Sequence, residues 1–139
     1  MIYYHYTPKY SYENIIRNKK LNPSNGFIQQ DAAYGNGWYM TDIKPEDCYG
    51  WIAAYCWQSL SREIFGKIEC YLKFDVPDSM IKKGREHVFL IPEQKWTGDI
   101  NNSGTVKYLG GGEVAKCNTA VSCWICHTIQ NIKNRFGWK

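Results

Sequence analysis

Three short segments of this 139-residue chain carry side chains that could bind and activate a polar ligand. The first is Tyr4-His5-Tyr6-Thr7, and the second is Gly35-Asn36-Gly37-Trp38-Tyr39-Met40-Thr41-Asp42. The third is Arg85–Pro92, which contains Glu86 and His87. Taken singly, each has an ordinary structural explanation, since glycines favour turns and a lone glutamate at a strand start usually faces solvent. Together they supply an imidazole, aromatic rings and a carboxylate.

The elements that must position these side chains can be read from hydrophobic periodicity and turn residues. The predicted helices are Ser11–Lys20, with Ser11 as its N-cap, Lys44–Leu60 and Asn118–Phe136. The predicted strands are Met1–Tyr6, Asn36–Ile43, Glu63–Val76, Glu86–Ile91 and Thr105–Leu109. Between them, Asn22–Gly35 is predicted as a loop, Pro77–Gly84 as a connector and Gly110–Gly112 as a hinge or turn. This order predicts one α+β domain over residues 1–139, with two helices in its N-terminal half and one at its C-terminus.

Composition favours a folded protein and excludes several classes. Hydrophobic residues make up 44% and charged residues 22% of the chain, which excludes disorder as the main state. The net charge is +4 with scattered Lys and Arg, so no dedicated nucleic-acid patch is indicated. No apolar run reaches the roughly 20 residues that span a bilayer, and no signal peptide is visible, so we expect a cytoplasmic protein that does not contact membranes. In that setting the six cysteines are expected to be free thiols.

In this order and spacing, the three segments resemble the ADP-ribosyltransferase superfamily on its diphtheria-toxin and poly(ADP-ribose)-polymerase side. The family carries a histidine on its first strand and then a Gly-x-Gly-hydrophobic-Tyr-hydrophobic-Thr-Asp-like segment, which Gly35–Asp42 fits closely. The sequence is most similar to the small toxin-type branch named for a His-Tyr-Asp signature. Pro45 occupies the last position of that branch's second motif. The resemblance implies a split antiparallel sheet around a cleft for NAD, which is a co-substrate.

The resemblance also implies roles for individual residues. His5 would hydrogen-bond the adenosine ribose, and backbone groups around Tyr6 and Thr7 would hold the nicotinamide amide. Gly37 belongs to the motif that lines the cleft. Tyr39 would stack on the nicotinamide, with a second ring from the next helix. Tyr49 is favoured for that second ring, with Trp51 and Tyr55 as alternatives.

The family's acid orients the nicotinamide ribose and stabilises the cationic sugar as nicotinamide leaves. Glu86 opens the equivalent strand and is the preferred candidate, with Glu93 and Asp99 as rivals. The physical reason is general: cleavage creates an oxocarbenium-like centre, and a fixed carboxylate stabilises it most strongly in a dry cleft. Aromatic walls exclude water and position the ring. Nothing in this chemistry needs a metal.

A competing motif lies in the predicted C-terminal helix. Cys123-Trp124-Ile125-Cys126-His127 matches the haem-attachment pattern, a redox C-x-x-C pair and, with Cys117, part of a zinc site. Trp124 and Ile125 fall on the buried stripe of that helix, and only one C-x-x-C pair is present. The favoured interpretation is therefore core thiols on a packed helix.

The resulting hypothesis is a mono-ADP-ribosyltransferase that cleaves NAD and modifies a protein or nucleic-acid acceptor, typical of an effector or toxin. NAD hydrolysis in the same cleft, or NAD and ADP-ribose binding without turnover, are the alternatives. An NAD-dependent RNA 2′-phosphotransferase is disfavoured because no set of basic residues surrounds His5. The loops 22–35 and 94–104 would select the acceptor. The sequence gives no indication of oligomeric state.

Overall fold

The computed structural model of the protein describes residues 1–24, 34–47, 52, 56, 66–101 and 104–114. Within these ranges, the strands are β1 (Ile2–Thr7), β2 (Gly37–Met40), β3 (Cys70–Asp75), β4 (Lys82–Arg85), β5 (Val88–Pro92) and β6 (Lys107–Glu113). Helix α1 spans Lys9–Asn18, and 3₁₀ turns occupy Asp78–Met80 and Glu93–Lys95. The α+β class is therefore confirmed.

The strands form two antiparallel three-stranded sheets that meet at one point. One sheet has the order β1-β3-β6 and the other the order β2-β5-β4. Strands β1 and β2 pair only at an isolated bridge, where Tyr4 and Thr41 exchange backbone hydrogen bonds of 2.8 and 2.9 Å. The two sheets are thus halves of one split sheet, which opens on either side of that bridge.

Two hydrophobic cores form because alternate residues of a strand face opposite sides of a sheet. Tyr3 belongs to the larger core, whereas its neighbour Tyr4 belongs to the smaller one. The larger core consists of Tyr3, Ile15, Leu21, Trp38, Met40, Leu72, Phe74, Val76, Ile91, Ile100 and Val106. The smaller core consists of Tyr4, Tyr6, Ile43, Ile52, Ile68 and Val114. Each large apolar side chain buried in this way contributes about 1.5–3 kcal/mol.

The predicted N-cap of the first helix was wrong. The N-cap is Pro8, with φ −60° and ψ 155°, and it makes no side-chain capping hydrogen bond. The carbonyl of Pro8 accepts a hydrogen bond from the Tyr12 N–H at 2.9 Å, so Ser11 lies inside the helix. Proline supplies the extended backbone that precedes a first turn, and its missing N–H costs nothing there. The helix ends at Asn18, where Lys19 turns left-handed at φ 57°.

Two strand predictions need correction at their ends. Cys70, Leu72 and Phe74 are buried on one face as predicted, but β3 begins at Cys70 and Gly66 is helical, so the strand does not start at Glu63. The run Gly110–Gly112, predicted as a hinge, lies inside β6 and pairs with β3. A Cβ on Gly111 would overlap the carbonyl oxygen of Tyr71, so this strand needs glycine where it approaches β3 closely.

The region predicted as a connector also contains a strand. Residues 82–85 form β4 on the edge of the second sheet, and β5 begins at Val88, so Glu86 does not open a strand. Lys44–Asp47 forms a turn, closed by a 3.0 Å hydrogen bond from the Asp47 N–H to the Lys44 carbonyl, and the predicted helix does not begin there. Farther along, Ile52 and Cys56 are helical.

Several predictions lie outside the described residues. These are the aromatic candidates Tyr49, Trp51 and Tyr55, the C-terminal helix Asn118–Phe136 and the Cys123–His127 motif. Among the residues that the structure describes, no helix has the length and apolar character to cross a membrane.

Replacing Gly111 by alanine tests the close approach of β6 to β3. The added methyl group would overlap the Tyr71 carbonyl, and a forced shift between paired strands should lower the free energy of unfolding by about 2–3 kcal/mol. Gly104→Ala is the matched control, because no atom beyond its two chain neighbours would lie within 4 Å of its new methyl group, and we expect a change within about 0.5 kcal/mol. Urea denaturation followed by tryptophan fluorescence measures both, and equal stabilities would contradict this account.

Candidate active site

The histidine of the first segment lies where the two sheets part. His5 follows the Tyr4–Thr41 bridge by one residue, and its Nδ1 lies 2.8 Å from the backbone carbonyl oxygen of Tyr39. Tyr39 precedes Thr41 by two residues, so its carbonyl points toward the same edge of β2 as that of Thr41. The imidazole therefore occupies the position of a strand-to-strand hydrogen bond that β1 and β2 do not make.

This contact fixes the tautomer of His5. A carbonyl oxygen only accepts hydrogen bonds, so Nδ1 carries the proton and donates it. In the neutral ring, Nε2 is then the acceptor. The bond to the Tyr39 carbonyl fixes the orientation of the ring. Since His5 is only partly buried, the ring remains accessible at the opening between the sheets.

Tyr6 offers backbone rather than its side chain to this opening, whereas the backbone of Thr7 faces β3 by the alternation of β1. The Tyr6 ring is buried in the smaller core, and its hydroxyl donates to the Ile43 carbonyl at 2.7 Å. Burial, more than any neighbouring charge, raises the Tyr6 pKa far above its ordinary value, so this phenol stays protonated. Thr7 is buried as well. Tyr6 lies two residues beyond Tyr4, and its N–H and C=O therefore face the edge of β1 from which β2 has diverged.

The hydroxyl of Tyr39 ties a turn to the start of β2. It accepts a hydrogen bond from the Tyr34 N–H at 2.8 Å and donates one to the Gly35 carbonyl at 2.7 Å. The ring is half-buried, so part of its surface remains exposed. The phenol thus serves local structure, and the ring is what a ligand could contact.

Gly37, predicted as a cofactor-binding residue, has a clear structural function. Its φ is +150°, and a Cβ there would overlap the carbonyl oxygen of Ile91. Only glycine permits β2 to approach β5 this closely. The glycines of the second segment therefore set the position of the strand that carries Tyr39.

Glu86 and His87 form the two-residue turn that joins β4 to β5, with Arg85 and Val88 paired on either side. The Glu86 side chain is 73% exposed, and its Oε1 lies 3.6 Å from Nε2 of His87. On the other side of the ring, Nδ1 of His87 lies 2.6 Å from Oδ1 of Asp42. Asp42, His87 and Glu86 thus form a row of three polar side chains at one end of β2 and β5.

Sequence patterns do not predict this row. Asp42 ends the second segment of the sequence, and His87 lies in the third segment, 45 residues farther along the chain. The pairing depends on the register of β2 against β5, in which Met40 faces Phe89. Two positions farther in that register, Asp42 comes level with His87. The order of residues along the chain does not give this register, so no local signal reveals the pair.

The rival acids lie elsewhere. Glu93 is exposed at the opposite end of β5 from Glu86, and its N–H donates to the Asn36 carbonyl at 3.1 Å. Asp99 bridges with Lys20 beyond the end of α1, and its carboxylate accepts a 2.8 Å hydrogen bond from the Asn101 N–H. The structure therefore separates the three candidates, and it places the carboxylate of Glu86 beside a histidine ring.

Cys56 and Cys70 are free thiols, as expected. Burial raises the pKa of Cys56 to about 11, outweighing the opposing effects of a hydrogen bond with Thr41 and the nearby charge of Arg85. Burial also raises the pKa of Cys70. Both thiols are protonated near neutral pH, so neither has the thiolate character of a nucleophile. Within the described ranges, no group of three or more His, Cys, Asp or Glu side chains is arranged to hold a metal ion.

Comparison with known proteins gives a match to a family described as the HYD1 signature containing ADP-ribosyltransferase, a toxin-type family. The family's model matches residues 3–104, a range that includes both parting strands, Tyr39, Asp42 and Glu86. Searches of curated proteins and of solved structures give no match. Since the matched range covers well over half of the chain, the protein belongs to the HYD1-signature-containing family of toxin-type ADP-ribosyltransferases.

Proposed function

We propose that the protein is a mono-ADP-ribosyltransferase that cleaves the nicotinamide–ribose bond of NAD and transfers ADP-ribose to a macromolecular acceptor. The observation that carries the proposal is the His5 imidazole, held at the opening of the split sheet by the Tyr39 carbonyl at 2.8 Å. Family membership supports transferase chemistry of this class. In this proposal residues 1–139 act as one domain.

NAD would bind along the edge of β1 that faces the opening. His5 presents Nε2 as an acceptor, which matches a ribose hydroxyl as donor. The N–H and C=O of Tyr6 face the same edge, and a carboxamide such as that of nicotinamide can bond to one strand donor and one strand acceptor at once. Thr7 would close the end of this site as the buried residue after Tyr6, and Gly37, by keeping β2 close to β5, would position Tyr39 for the ligand.

The nicotinamide ring would stack on Tyr39. The Tyr39 hydroxyl is already hydrogen-bonded to Tyr34 and Gly35, so the Tyr39 ring is held in one orientation before the ligand binds. Such preorganisation lowers the entropy cost of binding. Tyr49 would supply the second ring, with Trp51 and Tyr55 as alternatives.

Glu86 would stabilise the positive charge that develops on the sugar as nicotinamide departs. A carboxylate aimed at an oxocarbenium-like centre contributes most when water is excluded. In the protein without ligand, Glu86 is 73% exposed, so bound NAD and the acceptor themselves would have to cover it. This exposure also favours NAD hydrolysis as the second candidate function, because water reaches the same carboxylate. The acceptor is a protein or a nucleic acid, selected by the loops 22–35 and 94–104.

Glu86→Gln should lower the rate of NAD cleavage by at least about 100-fold, the usual effect of removing one electrostatic stabiliser of a transition state. The measurement is release of free nicotinamide from NAD, followed by chromatography, with and without cell lysate as a source of acceptor. Asp99→Asn and Glu93→Gln are the matched controls, because their carboxylates lie away from the His87 turn.

The controls also decide among the acids. If Asp99→Asn or Glu93→Gln no longer releases nicotinamide while Glu86→Gln remains active, the proposed reaction stands and the catalytic acid is Asp99 or Glu93 instead of Glu86. Absence of release by the unaltered protein, with lysate present, would overturn cleavage in favour of a domain that only binds NAD or ADP-ribose.

His5→Ala should weaken binding of NAD and of ADP-ribose by a similar factor of about ten, the effect of one lost hydrogen bond. Both ligands contain both riboses, so a parallel loss places His5 on the ADP-ribose part of the dinucleotide, and an equal loss for ADP, which keeps only the adenosine ribose, identifies that end as the partner of His5. Calorimetric titration in the Glu86→Gln background avoids turnover. A loss confined to NAD would place His5 at the nicotinamide end instead.

Tyr39→Ala should weaken binding of NAD but leave ADP-ribose binding within about twofold, because ADP-ribose lacks the stacked ring. Tyr39→Phe keeps the stacking ring and loses only the hydroxyl's bonds to Tyr34 and Gly35, so NAD affinity should fall less than in Tyr39→Ala. The same titrations measure both variants. Equal losses for the two ligands would exclude stacking of nicotinamide on Tyr39.

A further inference from the structure

The turn between β4 and β5 places a histidine where the backbone disfavours it. His87 has φ 62°, and a non-glycine residue in this left-handed region is uncommon. It is the second residue of a two-residue turn, and positive φ at this position favours glycine or asparagine. Strained positions of this kind persist where surrounding contacts hold them, and they cluster at functional sites.

Asp42 holds the His87 ring from the end of β2. Its Oδ1 lies 2.6 Å from Nδ1, so Nδ1–H donates a hydrogen bond to the carboxylate, and in the neutral ring Nε2 is then the acceptor. Both side chains are about one-third exposed, at 33% and 36%, so the pair is ordered but accessible. A base whose second nitrogen is oriented by a third group is the arrangement that activates hydroxyl nucleophiles in hydrolases.

The acceptor nitrogen of His87 lies beside the proposed catalytic acid. Nε2 is 3.6 Å from Oε1 of Glu86. A nucleophile that attacks the sugar carbon next to Glu86 would therefore bring its own proton close to Nε2. In this arrangement Glu86 stabilises the cationic sugar, while a different group takes the proton.

We propose that His87, oriented by Asp42, is the general base that deprotonates the acceptor. This inference rests on the proposed function. As the acceptor's O–H or N–H attacks C1′ of the nicotinamide ribose, a bond forms from the acceptor atom to C1′, and the bond from C1′ to nicotinamide breaks. The bonding pair leaves with the nicotinamide nitrogen, which becomes neutral. The acceptor's proton moves to Nε2 of His87 and is later lost to solvent.

The backbone conformation of His87 allows its imidazole to be removed without straining the turn. His87→Gly removes the imidazole at a position where glycine adopts φ 62° without strain, and this relief offsets the lost contact with Asp42, so the variant should fold with a melting temperature close to that of the unaltered protein. His87→Asn is a second variant that tolerates the same φ. With NAD and water as substrates, both variants should lose about 100-fold in kcat for ADP-ribose formation, with KM for NAD changed less than about twofold.

Chemical rescue separates a base from a turn-stabilising residue. Added imidazole should restore ADP-ribose formation by His87→Gly at least about tenfold, and should leave the unaltered protein and Glu86→Gln unchanged. Mass spectrometry of the product distinguishes ADP-ribose from an imidazole adduct, and only ADP-ribose supports the proposal. A His87→Gly rate equal to that of the unaltered protein, or a lost rate that imidazole fails to restore, would overturn the assignment of His87 alone. Absence of NAD cleavage by the unaltered protein would instead overturn the proposed function and this inference together.

Discussion

The fold depends on how β1 and β2 satisfy their backbone groups where they stop pairing. Buried peptide groups must be hydrogen-bonded, and an antiparallel pair that parts after one bridge leaves groups on both edges in need of partners. His5 provides one of these partners, because its Nδ1–H donates a hydrogen bond to the Tyr39 carbonyl. The same bond fixes the acceptor nitrogen of the ring. One side chain thus meets a structural requirement of the split sheet and, in the proposed function, also binds the ligand.

Strand β1 packs against a different hydrophobic core on each of its two faces. Tyr3 packs into the larger core against Phe89, with ring centroids 4.9 Å apart, and Tyr4 packs into the smaller one. In the larger core, Trp96 contacts Trp38 and Phe74 at 4.9 and 5.5 Å. Most of the aromatic residues that the structure describes pack into one of these two cores. Tyr39 combines a hydroxyl bonded to Tyr34 and Gly35 with a ring that is only half-buried.

Sequence patterns predicted the elements that have strong local signals. The alternation of Cys70, Leu72 and Phe74 indicated β3, and the apolar residues around Trp38 and Met40 indicated β2. Strand β4 was missed because an edge strand of Lys82-Lys83-Gly84-Arg85 has no apolar face. The glycines of β6 suggested a hinge because their need for close approach to Tyr71 arises from tertiary structure. Both errors come from strands whose character is set by neighbours distant in sequence.

The candidate site shows the same division between local and long-range information. His5, Tyr39 and Glu86 could be named from motifs, because residue types within short segments carry the resemblance. Asp42 and His87 lie 45 positions apart, and their 2.6 Å contact follows from antiparallel register between β2 and β5. The contact also explains why an unfavourable backbone conformation at His87 is stable: the carboxylate holds the ring from another strand. A turn that pins two strands together therefore also sets a polar group in a defined orientation beside Glu86, and the rigidity of the paired strands gives that orientation its precision.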